Sequence, residues 1–170
     1  MWPFTRNTRR EEDRLREMLG GHVSEDVLEK ILARSQAEAR PPQPWQFAYV
    51  LFQVRDADLD KVPARLSSAI EILTRRDGFV ADMMSSVVLG IFGLPLVDED
   101  LEKSRGQQAK VVARLVDAFG NDIRIVYGLA QGLAGDVGAP SNPSFGVLLP
   151  DLASKLGALF ALAFGKAAQI

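Results

Sequence analysis

Apolar residues recur along this chain at two spacings, and the alternation between them lays out its elements. In residues 9–40 they fall three and four apart, among the good helix formers Glu, Arg, Ala and Leu. Leu15, Met18 and Leu19 mark one stripe, and Gly20-Gly21 stops it. Val27, Leu28, Ile31 and Leu32 mark a second, which Ser24 can cap, with Glu25 and Asp26 favouring the helix dipole. Pro41-Pro42-Gln43-Pro44 then reads as a stiff connection, because proline fixes φ and removes donors. The expected organisation is a helical arm over residues 1–40, a Pro-rich linker over 41–46 and a domain over 47–170.

Within that domain strand and helix signals alternate. Residues 47–54 (FAYVLFQV) are aromatic and β-branched, which predicts a strand. Asp60 can cap a helix carrying Val62, Leu66, Ala69, Ile70 and Leu73, with Pro63 tolerated in its first turn. Residues 79–84 and 87–92 flank Ser85-Ser86 and read as a hairpin. A helix is predicted over 99–119, with Leu101, Val111, Val112, Leu115, Ala118 and Phe119 inward and Gly120 as its stop. Residues 123–129 predict a strand, and Gly128, Gly132, Gly135 and Gly138 predict a tight turn after it. Residues 141–144 read as a loop and 145–149 as a short strand. A last helix capped by Asp151 carries Leu152, Leu156, Leu159, Phe160 and Phe164. The order β-α-β-β-α-β predicts an α+β fold, a ferredoxin-like split βαβ antiparallel sheet with helices on one face.

Composition narrows the chemistry. The 170 residues include no Cys and one His, so thiol catalysis, Cys-based zinc sites and multi-His metal sites are excluded. Lys+Arg 20 against Asp+Glu 22 leaves a net charge of −2, which gives no electrostatic reason to expect nucleic acid. The apolar stretch at residues 145–164 is broken by Pro150, Asp151 and Lys155, so no transmembrane segment is expected. With no export signal read at the N-terminus, a cytoplasmic location is expected.

Three stretches together resemble the class III nucleotide cyclase domain of adenylate and guanylate cyclases. Residues 21–28 (GHVSEDVL) resemble the "YVSPEVV" helix start that often precedes bacterial cyclase domains. Residues 77–95 (DGFVADMMSSVVLGIFGLP) follow the family's "GGxVDKFIGDxVMAVFGAP" hairpin without a gap. Residues 124–140 (RIVYGLAQGLAGDVGAP) follow its "RIGIHTGExVVGNIGSP" strand pair, again without a gap. The resemblance spans roughly residues 21–158.

The family's chemistry does not carry over with its scaffold. The resemblance implies two metal-binding aspartates, since two cations neutralise the triphosphate and activate the attacking hydroxyl. At the first, in the family's "LFADI" strand, this chain has Val54. At the second, the "GD" hairpin tip, it has Ser86, which supplies no negative charge for Mg²⁺. Asp56 is the one weak metal candidate, two residues beyond Val54 and on the same face if the strand continues. The base-selecting lysine aligns with Asp82. The later "GDxVNLAAR" segment aligns with Pro150, Ala153 and Gly157, or one residue on with Asp151, Ser154 and Ala158, and its arginine is gone. The family domain usually continues for two further strands, and here the last helix is expected to lead directly to Ile170.

No other site stands out. The glycine-dotted segment 128–138 lacks the GxxxxGKS/T spacing and the lysine of a phosphate loop. Asp98, Glu99, Asp100 and Glu102 sit where a helix start wants acids. Gln131 and Asp136 read as polar turn residues, His22 as a packing or capping residue, and Arg75-Arg76-Asp77 as a solvated helix end. Met83, Met84, Val87, Val88, Leu89 and Ile91 make the hairpin almost continuously apolar, so both sheet faces are expected to be covered. The leading expectation is a catalytically inactive cyclase homology domain that acts as a dimerisation or regulatory module in signalling. It would have no cofactor and no metal, and would form a homodimer or a heterodimer with a cyclase-like domain. The alternatives are a nucleotide or small-molecule sensor without turnover, and a residual cyclase completed by a partner chain.

Overall fold

The computed structural model describes residues 13, 16, 23, 25, 28, 29, 42–93, 100–139 and 142–170. Its sheet runs β2-β3-β1-β4-β5, with a sixth strand added to β4. The strands are β1 Gln43–Val54, β2 Phe79–Met84, β3 Val87–Phe92, β4 Ile123–Ala139, β5 Asn142–Leu148 and β6 Lys166–Gln169. The helices are α1 Val62–Thr74, α2 Leu101–Phe119 and α3 Leu152–Ala161. This is the expected α+β arrangement with a ferredoxin-like antiparallel centre.

The faces of β1 organise the core. Ala48, Val50, Phe52 and Val54 point to one side, where they are buried with Ala69 and Leu73 of α1 and Val111, Val112, Leu115 and Phe119 of α2. Phe47, Tyr49 and Leu51 point to the other, where they are buried with Val126 of β4 and Leu159 of α3. So α1 and α2 share one face, and α3 packs on the opposite one, which departs from the expected placement of the helices on a single face. Both faces of β1 and β3 are covered, which is why these strands read as unbroken apolar runs. The expectation for the hairpin holds for β3 but not for all of β2, whose Met83 and Met84 are exposed.

Several boundaries differ from those expected, each for a physical reason. β1 opens at Gln43, so it takes in residues that read as linker. Proline there is tolerated because Pro44 lies near the strand's start. The 3-10 turn Leu59–Lys61 precedes α1, and Asp58 caps it, not Asp60: its side chain accepts from the Asp60 N–H at 3.1 Å. α2 begins at Leu101, capped by Asp100. Its inward stripe holds Ser104 and Gln108, whereas Ala118 is exposed. The helix stops at Gly120 as expected, with φ 51.

The glycine-dotted segment is not a turn. β4 runs unbroken through Gly128, Gly132, Gly135 and Gly138 to Ala139. Glycine serves close approach here: a Cβ on Gly128 would lie 2.0 Å from the Ile170 carbonyl oxygen, and one on Gly132 2.4 Å from that of Leu148. Asn142, Pro143 and Ser144, expected in a loop, belong to β5 and pair with β4. α3 ends at Ala161, short of Phe164, and Asp151 makes no side-chain cap. Beyond it the chain does not simply run out: β6 pairs parallel with Arg124–Tyr127 of β4.

In the arm, Asp13, Arg16, Glu25, Leu28 and Glu29 are helical. Arg16 pairs with Glu25 at 3.0 Å and with Glu29 at 2.5 Å, tying two arm segments together. Val23 and Leu28 are buried in the α3-side cluster. Leu15, Met18, Leu19, Gly20, Gly21, His22, Ser24, Asp26, Val27, Ile31 and Leu32 lie outside the described residues, as do Asp98 and Glu99. No helix among the described residues is long and apolar enough to cross a membrane.

Candidate functional site

The end of β1 and the tip of the β2–β3 hairpin meet. The Val54 N–H donates to the Ser86 carbonyl at 3.1 Å, and Gln53 Nε2 donates to Ser86 Oγ at 3.1 Å. The hairpin closes tightly enough for this because Ser85 adopts a left-handed conformation, φ 56. A shallow cleft of about 400 Å³ opens there, lined by Gln53, Val54, Arg55, Asp56, Ser85 and Ser86 together with the approach to α1. Two positions 32 residues apart in sequence, read from motif alignment alone, are thus neighbours at one cleft.

The charges around the cleft are already spoken for. β1 ends at Val54, so Asp56 lies past the strand and does not share a strand face with it. Asp56 Oδ2 pairs with Arg65 Nε at 2.9 Å, and its Oδ1 accepts the Asp58 N–H at 2.9 Å. Arg65 also holds Asp122 at 2.8 Å. Val54 is 1% exposed and belongs to the α1–α2 core cluster. No group of three or more His, Cys, Asp or Glu is placed to hold a metal among the described residues. Two divalent cations need several anionic oxygens converging on open positions. An aliphatic side chain, a serine engaged by glutamine and a carboxylate neutralised by arginine do not fit them.

Beside the cleft, Arg124 of β4 stands opposite Gln53 in the ladder. Its Nε donates to Gln53 Oε1 at 2.9 Å, and its Nη1 donates to the Phe160 and Leu162 carbonyls, each at 3.0 Å. Arg124 lies 4.7 Å and Arg55 4.2 Å from the Phe164 ring centroid, two cations on one ring. Burial, and secondarily the neighbouring Arg55, lower the pKa of Arg124. These contacts bind the end of α3 to the sheet next to the cleft.

The remaining sequence candidates lie apart. Asp82 sits on exposed β2 next to a register shift, and its carboxylate accepts the Met83 N–H at 2.7 Å. Gly157 is on the exposed side of α3, with nothing within 4 Å of where its Cβ would be. Asp100 caps α2, and Gln131 is exposed on β4. Arg75 pairs with Glu71, as a helix end would.

Sequence reasoning missed four polar residues in the core. Gln108 is buried and donates from Nε2 to the Tyr49 and Gly128 carbonyls, the latter at 2.8 Å. Lys155 is buried beside the Tyr49 ring and pairs with Asp151 at 2.5 Å. Among the described residues the buried Tyr49 hydroxyl has no hydrogen-bond partner, and neither has that of Ser104. Burial, and secondarily the Asp151 charge, push the Tyr49 phenol up to about 12. A polar residue on an otherwise apolar helical stripe was the available signal for Gln108, Ser104 and Lys155.

No protein-family model matches the chain, and no curated protein matches it in sequence. Solved structures do match. The adenylyl cyclase CyaB from P. aeruginosa aligns with a TM-score of 0.64 at 11% identity, over 76% of this chain and 79% of that one. The chain has the fold of a class III nucleotide cyclase catalytic domain. A guanylate cyclase domain from Catenaria anguillulae, solved with GTP, shares that cyclase fold with a TM-score of 0.52 at 15% identity, over 75% of this chain and 79% of that one. A bacterial light-regulated adenylyl cyclase aligns over 95% of this chain and 53% of its own, with a TM-score of 0.58 at 14% identity. Identities this low extend to the cyclase-like backbone and not to any side chain of the cleft.

Proposed function

We propose that this chain is a catalytically inactive nucleotide-cyclase homology domain that acts as a dimerisation or regulatory module in cytoplasmic signalling. Its partner is a second copy or another cyclase-like domain. The observation that carries the reading is the pair Val54 and Ser86. They come together in a cyclase-like fold where the resemblance implies two metal-binding aspartates, and neither bears a charge. The carboxylate that lines the cleft, Asp56, is held by Arg65. Asp82 in place of the base-selecting lysine, and the missing arginine of the segment around Gly157, support the same reading. Without the metal carboxylates and the arginine that the resemblance implies, the cleft lacks the family's groups for stabilising charge on a transferring phosphoryl group, and Arg55, which lines it, stacks on Phe164.

The purified chain incubated with ATP or GTP and Mg²⁺ or Mn²⁺ should yield no cyclic nucleotide above a no-protein control. Clear production of one overturns the proposal. A heterodimer with an active cyclase domain, assayed in the same way, tests the version in which a partner chain completes the site.

A second reading rests on the cleft itself. Gln53, Ser85 and Ser86 give it neutral hydrogen-bonding groups beside the apolar Val54. This suits an uncharged ligand better than a metal-bound triphosphate, and a thermal-shift screen of nucleotides and metabolites separates sensor from interaction module. A saturable shift would favour the sensor.

A further inference from the structure

One chain of hydrogen bonds runs from the hairpin tip through the sheet to the end of α3, and its direction is fixed by chemistry. Arg124 has N–H donors and no acceptor, so the Gln53 atom that faces it is Oε1, which accepts from Nε at 2.9 Å and from Nη2 at 2.5 Å. Gln53 Nε2 is then the atom that faces Ser86, so Ser86 Oγ accepts, at 3.1 Å. The hydroxyl's own proton has no acceptor among the described residues, and Ser86 lines the cleft half-buried. From this we infer that the cleft is a donor subsite: Ser86 offers its O–H to an acceptor oxygen of a neutral ligand, and Gln53 and Arg124 are positioning residues that pass occupancy on to the end of α3.

The subsite is held in place before a ligand arrives. The Val54 N–H fixes the Ser86 backbone and Gln53 fixes its side chain, so binding has little left to order. The charged residues that line the cleft, Arg55 and Asp56, bear opposite charges, and Leu59, Val62 and Pro63 add an apolar wall. This favours a neutral ligand with an apolar body and a carbonyl, ether or hydroxyl oxygen. At the far end, Arg124 Nη1 donates to the Phe160 and Leu162 carbonyls, which the end of α3 leaves without helical partners. Every donor between Arg124 and Ser86 points toward the cleft, so each bond polarises the next. A ligand that accepts from Ser86 makes its Oγ a better acceptor for Gln53, and Gln53 a better one for Arg124. Occupancy therefore tightens the latch on α3, and by reciprocity a loosened latch weakens the subsite. The inference rests on the sensor reading in taking the cleft as a ligand site, and adds which atom the ligand must bring and where its binding is felt.

Amide exchange in the full chain, read by NMR at Leu162 and Gly165, tests it. Their N–H groups donate to the Leu159 and Ile123 carbonyls, close to the latch. Ser86→Ala should speed exchange at both by about three- to tenfold, the worth of one hydrogen bond, and leave Val112 in α2 unchanged. Ser86→Thr keeps the hydroxyl and should exchange as the wild type does. Dimethyl sulfoxide, which accepts hydrogen bonds and donates none, is the ligand probe. It should shift the Gln53 side-chain amide and the Leu162 amide saturably in the wild type and not in Ser86→Ala. Unchanged exchange at Leu162 and Gly165 in Ser86→Ala overturns the inference, as does an equal change at Val112. So does a probe shift that is absent from the wild type or persists in Ser86→Ala. A blank metabolite screen with these results intact would overturn the sensor reading alone, so the two failures are distinguishable.

Discussion

The Val54 N–H donates to the Ser86 carbonyl at 3.1 Å, which fixes the end of the central strand against the tip of the neighbouring hairpin. Carboxylates at both positions would stand at one cleft. Val54→Asp alone should destabilise the chain by about 3 kcal/mol, because it buries an unpaired charge among α1 and α2 side chains. Val54→Asp with Ser86→Asp should regain part of that loss when Mn²⁺ is added. The wild type should show no Mn²⁺-dependent change in melting temperature. A double variant indifferent to Mn²⁺ would mean that the cleft does not bring the two side chains together.

Tyr49→Phe should stabilise the protein. The buried hydroxyl has no partner among the described residues, and removing an unsatisfied polar group returns roughly 1 kcal/mol. The pH dependence has a definite sign. With its folded pKa raised to about 12, the phenol stays protonated in the fold while the unfolded chain releases the proton. Its contribution is therefore complete below the ordinary tyrosine range and is lost as pH rises from there to about 12. Urea denaturation across that window should show a smaller loss for Tyr49→Phe than for the wild type.

Gln108→Leu should cost roughly 2 kcal/mol in chemical denaturation, because it leaves the Tyr49 and Gly128 carbonyls without their donor in a dry site. Gln108→Glu should cost more at neutral pH, since it points a carboxylate at two carbonyl oxygens. That excess should shrink as the pH is lowered and the acid protonates. Equal losses for both variants at all pH values would show that the amide is not the anchor.

Gly128→Ala should weaken docking of β6. The added methyl would lie 2.0 Å from the Ile170 carbonyl oxygen, so one strand must shift, at roughly 2 kcal/mol. Faster amide exchange at Ala168 and Ile170, with exchange in β3 unchanged, is the expected signature.

The β2–β3 hairpin was legible to the residue, because two apolar runs of equal length flank a two-residue turn. β4 was not. Its glycines carry the local signal of a turn, and the approach of Ile170 to Gly128 and of Leu148 to Gly132 is a matter of the folded sheet that the local sequence does not show. The same limit hid β6: Lys-Ala-Ala-Gln has little strand propensity, and its pairing with Arg124–Tyr127 supplies the structure. At the cleft, motif alignment picked out Val54 and Ser86, and the fold makes them neighbours. Alignment had nothing to say about Arg65, which engages Asp56 in an ion pair. Asp58 displaced Asp60 as a cap for a similar reason, since the 3-10 turn before α1 has no hydrophobic periodicity to announce it.

β4 borders β1 along one edge and both β5 and β6 along the other. Its ladder with β1 joins residues roughly seventy to ninety positions apart, so a large loop must close before any of that ladder forms. Refolding from denaturant should therefore be paced by one long-range encounter between the two central strands, whereas β6, which joins the opposite edge of β4, docks across the shorter separation between Arg124 and Lys166.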